Sequence, residues 1–281
     1  MGIKEALLLR VARRWIAGVD LDSAIHDAQD ANGRGVGAVI NFLGEEIKDP
    51  SLADAQVEEY LRLQSAISSK SVKGFASVKL TQLGLGSDDA GAPARLERIA
   101  SNADRLSQPM FVDMEGSAFT DKTVSIYLDA LSKHPRMGLA LQSYMRRSGA
   151  DLKVLLDKGA HIRLVKGAYR EPRDVTFQSR QEISDNFTSL MGELFDRGND
   201  FAIATHDSKL VDGAKKLAES KHVEFRFEML KGIRNELKAE LVKSGYRVSE
   251  YLPYGDRWFA YSRRRMTEHP SNIWLLLRSL V

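Results

Sequence analysis

The chain has 281 residues, 41 basic and 38 acidic side chains, a formal net charge of +3 and no cysteine. The lack of cysteine excludes disulfide frameworks, iron–sulfur clusters, thiolate zinc sites and cysteine nucleophiles. The near balance of charge argues against nucleic-acid binding. The apolar run at residues 6–9 is too short for a signal peptide, and no other run is long enough to span a bilayer. We therefore expect a soluble, cytoplasmic protein.

The first 34 residues predict a helical prelude. Leu7, Val11, Trp15 and Ile16 recur at helical spacing, and the pattern runs from about residue 4 to residue 31. After Asn32 and Gly33 the chain changes to short apolar segments, each followed by a polar stretch with helical spacing. Because no linker rich in proline, glycine or serine divides the chain, we predict one domain over 1–281, with the prelude at 1–34 and a barrel at 35–281.

Eight short segments rich in apolar or β-branched residues predict strands, and seven amphipathic segments between them predict helices. The predicted strands cover 36–42, 73–80, 110–114, 138–142, 161–165, 201–205, 223–229 and 246–251. The predicted helices cover 52–68, 94–106, 122–133, 151–158, 179–197, 208–219 and 234–244.

Turn and cap residues support these boundaries. Ser51-x-x-Asp54 has the pattern of a capping box, and Pro93 suits the first turn of a helix. Glycines stand where three helices should end, at 159, 198 and 245. Strands that are apolar throughout are typical of parallel strands covered by helices. Eight such units favour an α/β fold with a closed (β/α)8 TIM-type barrel, and the pattern alone leaves an open doubly wound sheet as the alternative.

Six of the eight predicted strands end on polar or charged side chains after an apolar run. The active sites of (β/α)8 barrels lie at the C-terminal ends of the strands. We therefore expect these side chains to form one functional rim, and a set of ordinary solvated strand ends is the alternative. They are Lys79, Asp113, Met114, Gln142, Arg163, Lys166, Thr205, His206, Asp207 and Tyr251.

Lys79 and Arg163 are the most informative of these side chains. Each is a cation between apolar neighbours inside a predicted strand, where an unpaired buried charge is strongly unfavourable. Each therefore needs a partner, either a fixed carboxylate such as Asp113 or an anionic ligand. An ion pair that serves only to hold the barrel together is the alternative.

Two other motifs lack the structural context that their usual functions require. His206 and Asp207 are adjacent, so on a strand they would point to opposite faces and could not form an orienting hydrogen bond. No serine elbow accompanies them, and no HExxH spacing occurs among the six histidines, so we predict no metal site. The glycines from Gly33 to Gly37 precede a predicted strand, whereas a dinucleotide-binding turn joins a strand to a helix.

The C-terminal segment DRWFAYSRRRMTEHPSNIWLLLRSL predicts two helical pieces that are separated near Pro270. Arg263, Arg264 and Arg265 would fan over roughly 200° of a helix, so the three cannot share one partner. Two neighbouring guanidinium groups can still bind one carboxylate. Taken alone, such a triplet is usually a solvated helix face.

Taken together, seven segments resemble the proline dehydrogenase family in their order and spacing, over roughly residues 35 to 280. The resemblance is to the short monofunctional enzymes of bacteria and archaea. It implies a distorted (β/α)8 barrel with the last helix over the barrel mouth, FAD as cofactor, and oxidation of L-proline to Δ1-pyrroline-5-carboxylate by hydride transfer to flavin N5. The segments are ASVKLTQLG, FVDMEGS, LQSY, IRLVKGAYREP, IATHD, FEMLKGIR and EYLPYGDRWFAYSRRRMTEHP.

The same resemblance implies roles for individual residues. Arg264 and Arg265 match the residues that bind the substrate carboxylate, with Lys79 assisting, and Tyr251 matches the tyrosine that packs against the proline ring. The implied catalytic residues are Asp113, which holds this basic cluster in place, and Arg163, which lies beside flavin N5. The implied cofactor contacts are Met114, Gln142, Arg163, Lys166, Gly167, Ala168, Thr205, His206 and Glu268.

Three positions depart from the family pattern. Glu228 and Lys231 stand where the family usually has glutamine and tyrosine, and if these positions line the barrel mouth they would change flavin contacts or substrate access. Arg263 replaces a residue that is usually small or uncharged, and we interpret it as a surface residue.

The electron acceptor follows from the resemblance alone. A membrane quinone is implied, and with it transient contact with the inner face of the plasma membrane. The N-terminal helix with Trp15 would suit such contact, and core packing of Trp15 is the alternative. Two other functions stay open at this point: a flavin barrel related to the methylenetetrahydrofolate reductases, and a non-catalytic barrel that senses an amino acid.

Overall fold

The computed structural model describes residues 3–259 and 261–262. Two helices, α1 (Ile3–Ala12) and α2 (Leu21–Gly33), precede an alternation of strands and helices. The strands are β1 (Gly37–Phe42), β2 (Gly74–Lys79), β3 (Met110–Asp113), β4 (Met137–Gln142), β5 (His161–Val165), β6 (Ala202–Ala204), β7 (Arg226–Leu230) and β8 (Arg247–Tyr254). The helices between them are α3 (Pro50–Ser69), α4 (Gly91–Arg105), α5 (Ser117–Leu131), α6 (Ser148–Asp157), α7 (Arg180–Arg197), α8 (Ser208–Lys221) and α9 (Asn235–Lys243), and a 3-10 helix (Leu80–Leu83) follows β2.

The eight strands form a closed parallel barrel in sequence order. Each strand pairs with the next, and β8 closes the sheet on β1. This confirms the predicted α/β TIM-type barrel and rules out the open sheet. Because all strands run in parallel, their C-terminal ends meet on one rim, where Lys79 of β2 lies in register with Asp113 of β3.

Apolar strand residues pack outward against the helices, and the barrel interior holds a separate small cluster. Val39, Phe75 and Phe111 form that cluster, with Tyr251 packed against it. The rings of Phe75 and Phe111 are 5.2 Å apart between centroids. A Cβ atom at Gly138 would lie 2.2 Å from the Phe111 ring, so the glycine makes room for this filling of the barrel. Each buried phenylalanine contributes about 1.5–3 kcal/mol to stability.

The predicted helical prelude consists of two helices. It is broken between α1 and α2, where Gly18 has a φ of +107°, a conformation that favours glycine. Asp20 then caps α2 by accepting a hydrogen bond from the Ser23 amide at 2.8 Å. Trp15 lies in the break and is buried, so the structure supports core packing for this side chain.

One predicted cap was wrong. Helix α3 begins at Pro50, and its cap is Asp49, which accepts a hydrogen bond from the Ser51 amide at 2.8 Å. Asp54 instead accepts a hydrogen bond from Arg95 Nε at 2.7 Å, so Ser51-x-x-Asp54 forms no capping box. A proline placed directly after an aspartate is a helix start in its own right.

The strand boundaries differ most at β7 and β8. Strand β7 starts three residues later than predicted, and β8 continues to Tyr254 because it pairs with β1 along its last residues.

Within the described residues, no helix is both long and apolar enough to cross a membrane.

Candidate active site

A cavity of about 300 Å³ lies at the C-terminal rim of the barrel. The structure places eleven of the predicted site residues in its lining: Lys79, Asp113, Met114, Gln142, Arg163, Lys166, Gly167, Ala168, Thr205, His206 and Tyr251. The predicted C-terminal helix falls mostly outside the described residues, as do Arg263, Arg264, Arg265, Glu268 and Pro270. The substrate clamp and the acidic flavin contact therefore stay predictions.

Arg163 is the buried centre of the site. Its Nη1 donates hydrogen bonds to Asp113 Oδ1 at 2.6 Å and to Ser77 Oγ at 3.0 Å, and its Nε donates to Glu228. The guanidinium carbon lies 4.7 Å from the centre of the Phe111 ring. Burial alone would lower the pKa of Arg163, but the carboxylates of Glu228 and Asp113 raise it above its ordinary value. Arg163 therefore stays a cation inside the barrel.

Asp113 connects this cation to the barrel mouth. Its Oδ1 accepts hydrogen bonds from Arg163 and from Ser77 Oγ at 2.7 Å, and its Oδ2 accepts one from the Tyr251 hydroxyl at 2.5 Å. The ammonium of Lys79 is 3.9 Å from Asp113 Oδ2 and 3.8 Å from a carboxylate oxygen of Glu45. Both predicted cations therefore face the fixed carboxylate that the sequence suggested.

The Tyr251 hydroxyl is held as a donor. Burial, together with the adjacent Asp113 carboxylate, raises the pKa of Tyr251 well above its ordinary value. The hydroxyl therefore stays protonated over the accessible pH range and donates a hydrogen bond to Asp113. Its ring packs against the Phe111 cluster, which fixes the ring at the wall of the cavity.

Sequence reasoning missed Ser77, and it noted Glu228 only as a departure from the family pattern that would matter if it lined the barrel mouth, which it does. Ser77 is two residues before Lys79 on β2, so both side chains lie on the same face of the strand. The same alternation puts Arg226 and Glu228 of β7 on one face, where Arg226 Nε donates a hydrogen bond to Glu228 at 2.8 Å. The sequence did contain a signal for both residues: each lies two positions from a charged residue on the same strand, so the two side chains share one face. Lys231, the other departure, pairs with Asp27 at 2.8 Å and does not line the cavity.

Lys166 and His206 line the cavity, and Asp207 lies next to them outside its lining. Lys166 Nζ donates a hydrogen bond to Asp207 Oδ2 at 2.8 Å, and this bond lowers the pKa of Asp207. His206 Nε2 accepts a hydrogen bond from the Leu230 amide at 2.9 Å. The strand alternation expected for these two residues does not apply, because both follow the end of β6 and Asp207 caps α8.

Gly167 and Gln142 also line the cavity. Gly167 has a φ of +109°, and a Cβ atom there would lie 2.2 Å from the Tyr144 ring. The packing of Tyr144 therefore already requires glycine, apart from any ligand. Gln142 Nε2 donates a hydrogen bond to the Glu115 carbonyl at 2.8 Å. Burial raises the pKa of the Glu115 carboxyl group, which accepts hydrogen bonds from Thr81.

The donor set suits an anionic ligand or a cofactor that becomes anionic. Lys79, Arg163 and Lys166 all line the cavity. Among the described residues, the buried Nη2 of Arg163 has no hydrogen-bond partner. Arg163 itself lines the cavity, so its fixed positive charge would act on a ligand bound there. This arrangement fits a flavin.

Tyr251→Phe is expected to lower kcat/KM for the substrate by about tenfold, because it removes a hydrogen bond to a charged group worth about 1.5–3 kcal/mol. Steady-state kinetics measure the effect. Tyr254→Phe is the matched control, since the Tyr254 hydroxyl donates to Glu59 at 2.8 Å from the same strand but does not line the cavity. Equal losses in the two variants would contradict a special role for Tyr251.

Comparison with known proteins identifies relatives of the whole chain. The family model described as proline dehydrogenase matches residues 24–273. Proline dehydrogenase 2 of Bacillus subtilis (strain 168) is 32% identical over 282 residues, which cover 96% of this chain and 93% of that protein. Proline dehydrogenase 1 of Bacillus subtilis subsp. natto is 34% identical over 273 residues, with 96% and 90% covered. The proline dehydrogenase of Deinococcus radiodurans is 32% identical over 279 residues, with the same coverage.

A solved structure supports the fold. The crystal structure of proline utilization A from Bdellovibrio bacteriovorus, inactivated by N-propargylglycine, matches with a TM-score of 0.87 and 21% sequence identity. The match covers 94% of this chain and 33% of that one, so the chain spans about a third of that longer protein. At this identity the likeness shows a shared barrel architecture.

Proposed function

The chain belongs to the proline dehydrogenase family, and we propose that it oxidises L-proline to Δ1-pyrroline-5-carboxylate with FAD as its cofactor. It is an oxidoreductase that acts on proline. The observation that carries the finer proposal is the buried Asp113, which binds Arg163 and Tyr251 and faces Lys79 at the rim cavity. Membership in this family disfavours the methylenetetrahydrofolate reductase alternative.

The residues proposed to hold FAD are the cofactor contacts that the family resemblance implies. All of them except Glu268, which lies outside the described residues, line the cavity. The residues that line it include Thr205, His206, Lys166, Gln142 and Met114. When bound, FAD would accept at N5 the hydride that leaves the proline ring carbon. Arg163 would place a fixed positive charge where negative charge develops, which favours reduction of the cofactor.

Lys79 and Tyr251 are proposed to place the substrate. Lys79 lies at the rim with its ammonium group near Asp113, and Arg264 and Arg265 would complete the binding of the proline carboxylate. The ring of Tyr251 would pack against the proline ring. Asp113 would hold Lys79, Arg163 and Tyr251 in one arrangement, so that proline is oriented before the reaction. Apolar walls from Ala140, Ala204, Met229 and Leu230 strengthen these electrostatic interactions by excluding water.

We further propose that the electrons pass to a quinone in a membrane. The protein would then be cytoplasmic and would make transient contact with the inner face of the plasma membrane. The family resemblance supports this acceptor. The buried Trp15 would not supply the contact surface.

Incubation of the flavin-loaded protein with L-proline and a soluble dye acceptor tests the proposal. We expect dye reduction that depends on proline, together with a product that forms the coloured adduct of o-aminobenzaldehyde with pyrroline carboxylate. Bound flavin without product would contradict the proposed reaction. A protein that stays colourless after addition of FAD would favour the amino-acid sensor.

A further inference from the structure

A line of alternating charges runs through the interior of the barrel. Asp200 accepts a hydrogen bond from Arg226 Nη1 at 3.2 Å, and Arg226 Nε donates to Glu228 Oε1 at 2.8 Å. Glu228 Oε2 accepts a hydrogen bond from Arg163 Nε, and Arg163 Nη1 donates to Asp113 at 2.6 Å. Glu228 therefore stands between two arginines, with a different oxygen bound to each.

Glu228 is the most deeply buried carboxylate of this line. Its side chain is 2% exposed, compared with 11% for Asp113 and 45% for Asp200. It lines the cavity, as Arg163 does, whereas Arg226 does not. Water therefore screens the negative charge of Glu228 only weakly, and this charge acts strongly on a ligand bound in the cavity.

The contacts of Glu228 fix the direction of the Arg163 guanidinium group. Glu228 holds Nε, and Asp113 and Ser77 hold Nη1, so Nη2 is the nitrogen without a partner among the described residues. A planar guanidinium group that is bound on two of its nitrogens cannot rotate freely. Glu228 thereby fixes the orientation of Arg163 and offsets part of the positive charge that Arg163 presents at the cavity, which both residues line.

We propose that Glu228 is a positioning residue that orients Arg163 and lowers the reduction potential of the flavin bound in this cavity. This inference rests on the proposed function, since it requires FAD at the site. A flavin gains negative charge on two-electron reduction, and Arg163 stabilises that charge. The carboxylate of Glu228 opposes it, so the pair gives a lower potential than Arg163 would give with a neutral partner.

Glu228→Gln tests this role, because glutamine keeps the size and one oxygen acceptor and removes the charge. We expect the ratio of affinities for reduced over oxidised FAD to rise about tenfold, which is a shift of about 30 mV to more positive potential for a two-electron couple. The potential is measured by equilibrium reduction of the bound flavin against a reference dye, without proline. Glu228→Asp, which restores the charge, is expected to return the potential toward the wild-type value.

Glu250→Gln is the matched control. Glu250 is also a buried carboxylate on a barrel strand, and it is bound by Lys238 and Arg34. It does not line the cavity, so its loss disturbs a buried ion pair without changing the field at the flavin. We expect the potential of this variant to equal that of the wild type.

An unchanged potential in Glu228→Gln with FAD bound would overturn the proposal, and so would equal shifts in the Glu228 and Glu250 variants. Should Glu228→Gln fail to fold, Arg226→Gln provides the second test. It leaves the charge of Glu228 less compensated, so we expect a more negative potential, and an unchanged one would again overturn the proposal.

The proposal and the proposed function can fail separately. If the wild type binds FAD and is reduced by L-proline but the potentials of the variants do not move, only the role of Glu228 is wrong. If the wild type binds no FAD, or binds FAD that proline does not reduce, the proposed function itself is wrong.

Discussion

Asp113→Ala is expected to lower kcat/KM for L-proline by about 100-fold or more, because two of the three hydrogen bonds that it removes hold Arg163 and Tyr251 at the cavity, and hydrogen bonds to a charged group are worth about 1.5–3 kcal/mol each. The bonds from Arg163 and from Tyr251 both end on this carboxylate. Without it, Arg163 keeps Glu228 as its carboxylate partner, and Lys79 loses a charge at the rim. We expect Asp113→Asn, which keeps the shape of the side chain, to lose about tenfold.

Asp151→Asn and Asp151→Ala are the controls for this result. The Asp151 side chain is 12% exposed, compared with 11% for Asp113, and it also binds an arginine, with Arg147 Nε at 2.7 Å. It lies on α6, outside the barrel and away from the cavity. Steady-state kinetics and circular dichroism on all four variants separate a loss of activity from a loss of folding. Folded, flavin-loaded Asp113→Ala with normal kinetics would contradict the central place of this carboxylate.

Arg264→Met or Arg265→Met is expected to weaken the use of proline by roughly ten- to hundred-fold or more, because each removes a charged hydrogen bond to the substrate carboxylate worth about 1.5–3 kcal/mol. The loss should be largest in the apparent affinity for proline, while flavin binding is kept. Proline-dependent dye reduction over a wide range of substrate concentration measures it.

Arg263→Met is the matched control for the arginine pair. The three arginines are consecutive in the chain, and on a helix the first would point about 100° away from the second. We expect its kinetics to match those of the wild type. Near-normal turnover with bound flavin in both Arg264→Met and Arg265→Met would remove the pair from the site.

The sequence predicted the barrel because parallel strands and covering helices leave separate periodic patterns. For β5 the predicted and observed limits coincide at His161 and Val165. The break near Gly18 was missed because an apolar period of 3.6 residues can continue across two separate helices. The cap of α3 was misplaced because Asp49, Ser51 and Asp54 are all plausible caps, and only the geometry around Pro50 selects one of them.

The sequence predicted which strand ends form the site, but it did not predict the hydrogen bonds and ion pairs that connect them. Asp113 and Tyr251 are 138 residues apart in sequence, and Arg163 and Glu228 are 65 apart. Pairings across the interior of a closed barrel depend on its strand register, which no local pattern encodes. The same limit explains why Glu228 was recognised only as a departure from a family pattern. The division into a prelude and one barrel domain stays a prediction.

The placement of charges in the barrel favours a functional explanation over a purely structural one. Ion pairs as buried as that of Arg163 with Asp113 contribute little net stability compared with apolar residues of the same size. The interior already contains the apolar filling of Phe75 and Phe111. Charges placed directly above that filling, beside a cavity, are consistent with a site that must bind and stabilise other charges.

Anaerobic addition of L-proline to the flavin-loaded protein is the most direct test of the proposed oxidation of proline. The visible absorption band of the flavin reports the redox state of the cofactor without any electron acceptor. We expect L-proline to bleach this band and the band to return when an acceptor is added. A band that keeps its full intensity with saturating L-proline, although FAD is bound, would contradict that proposal.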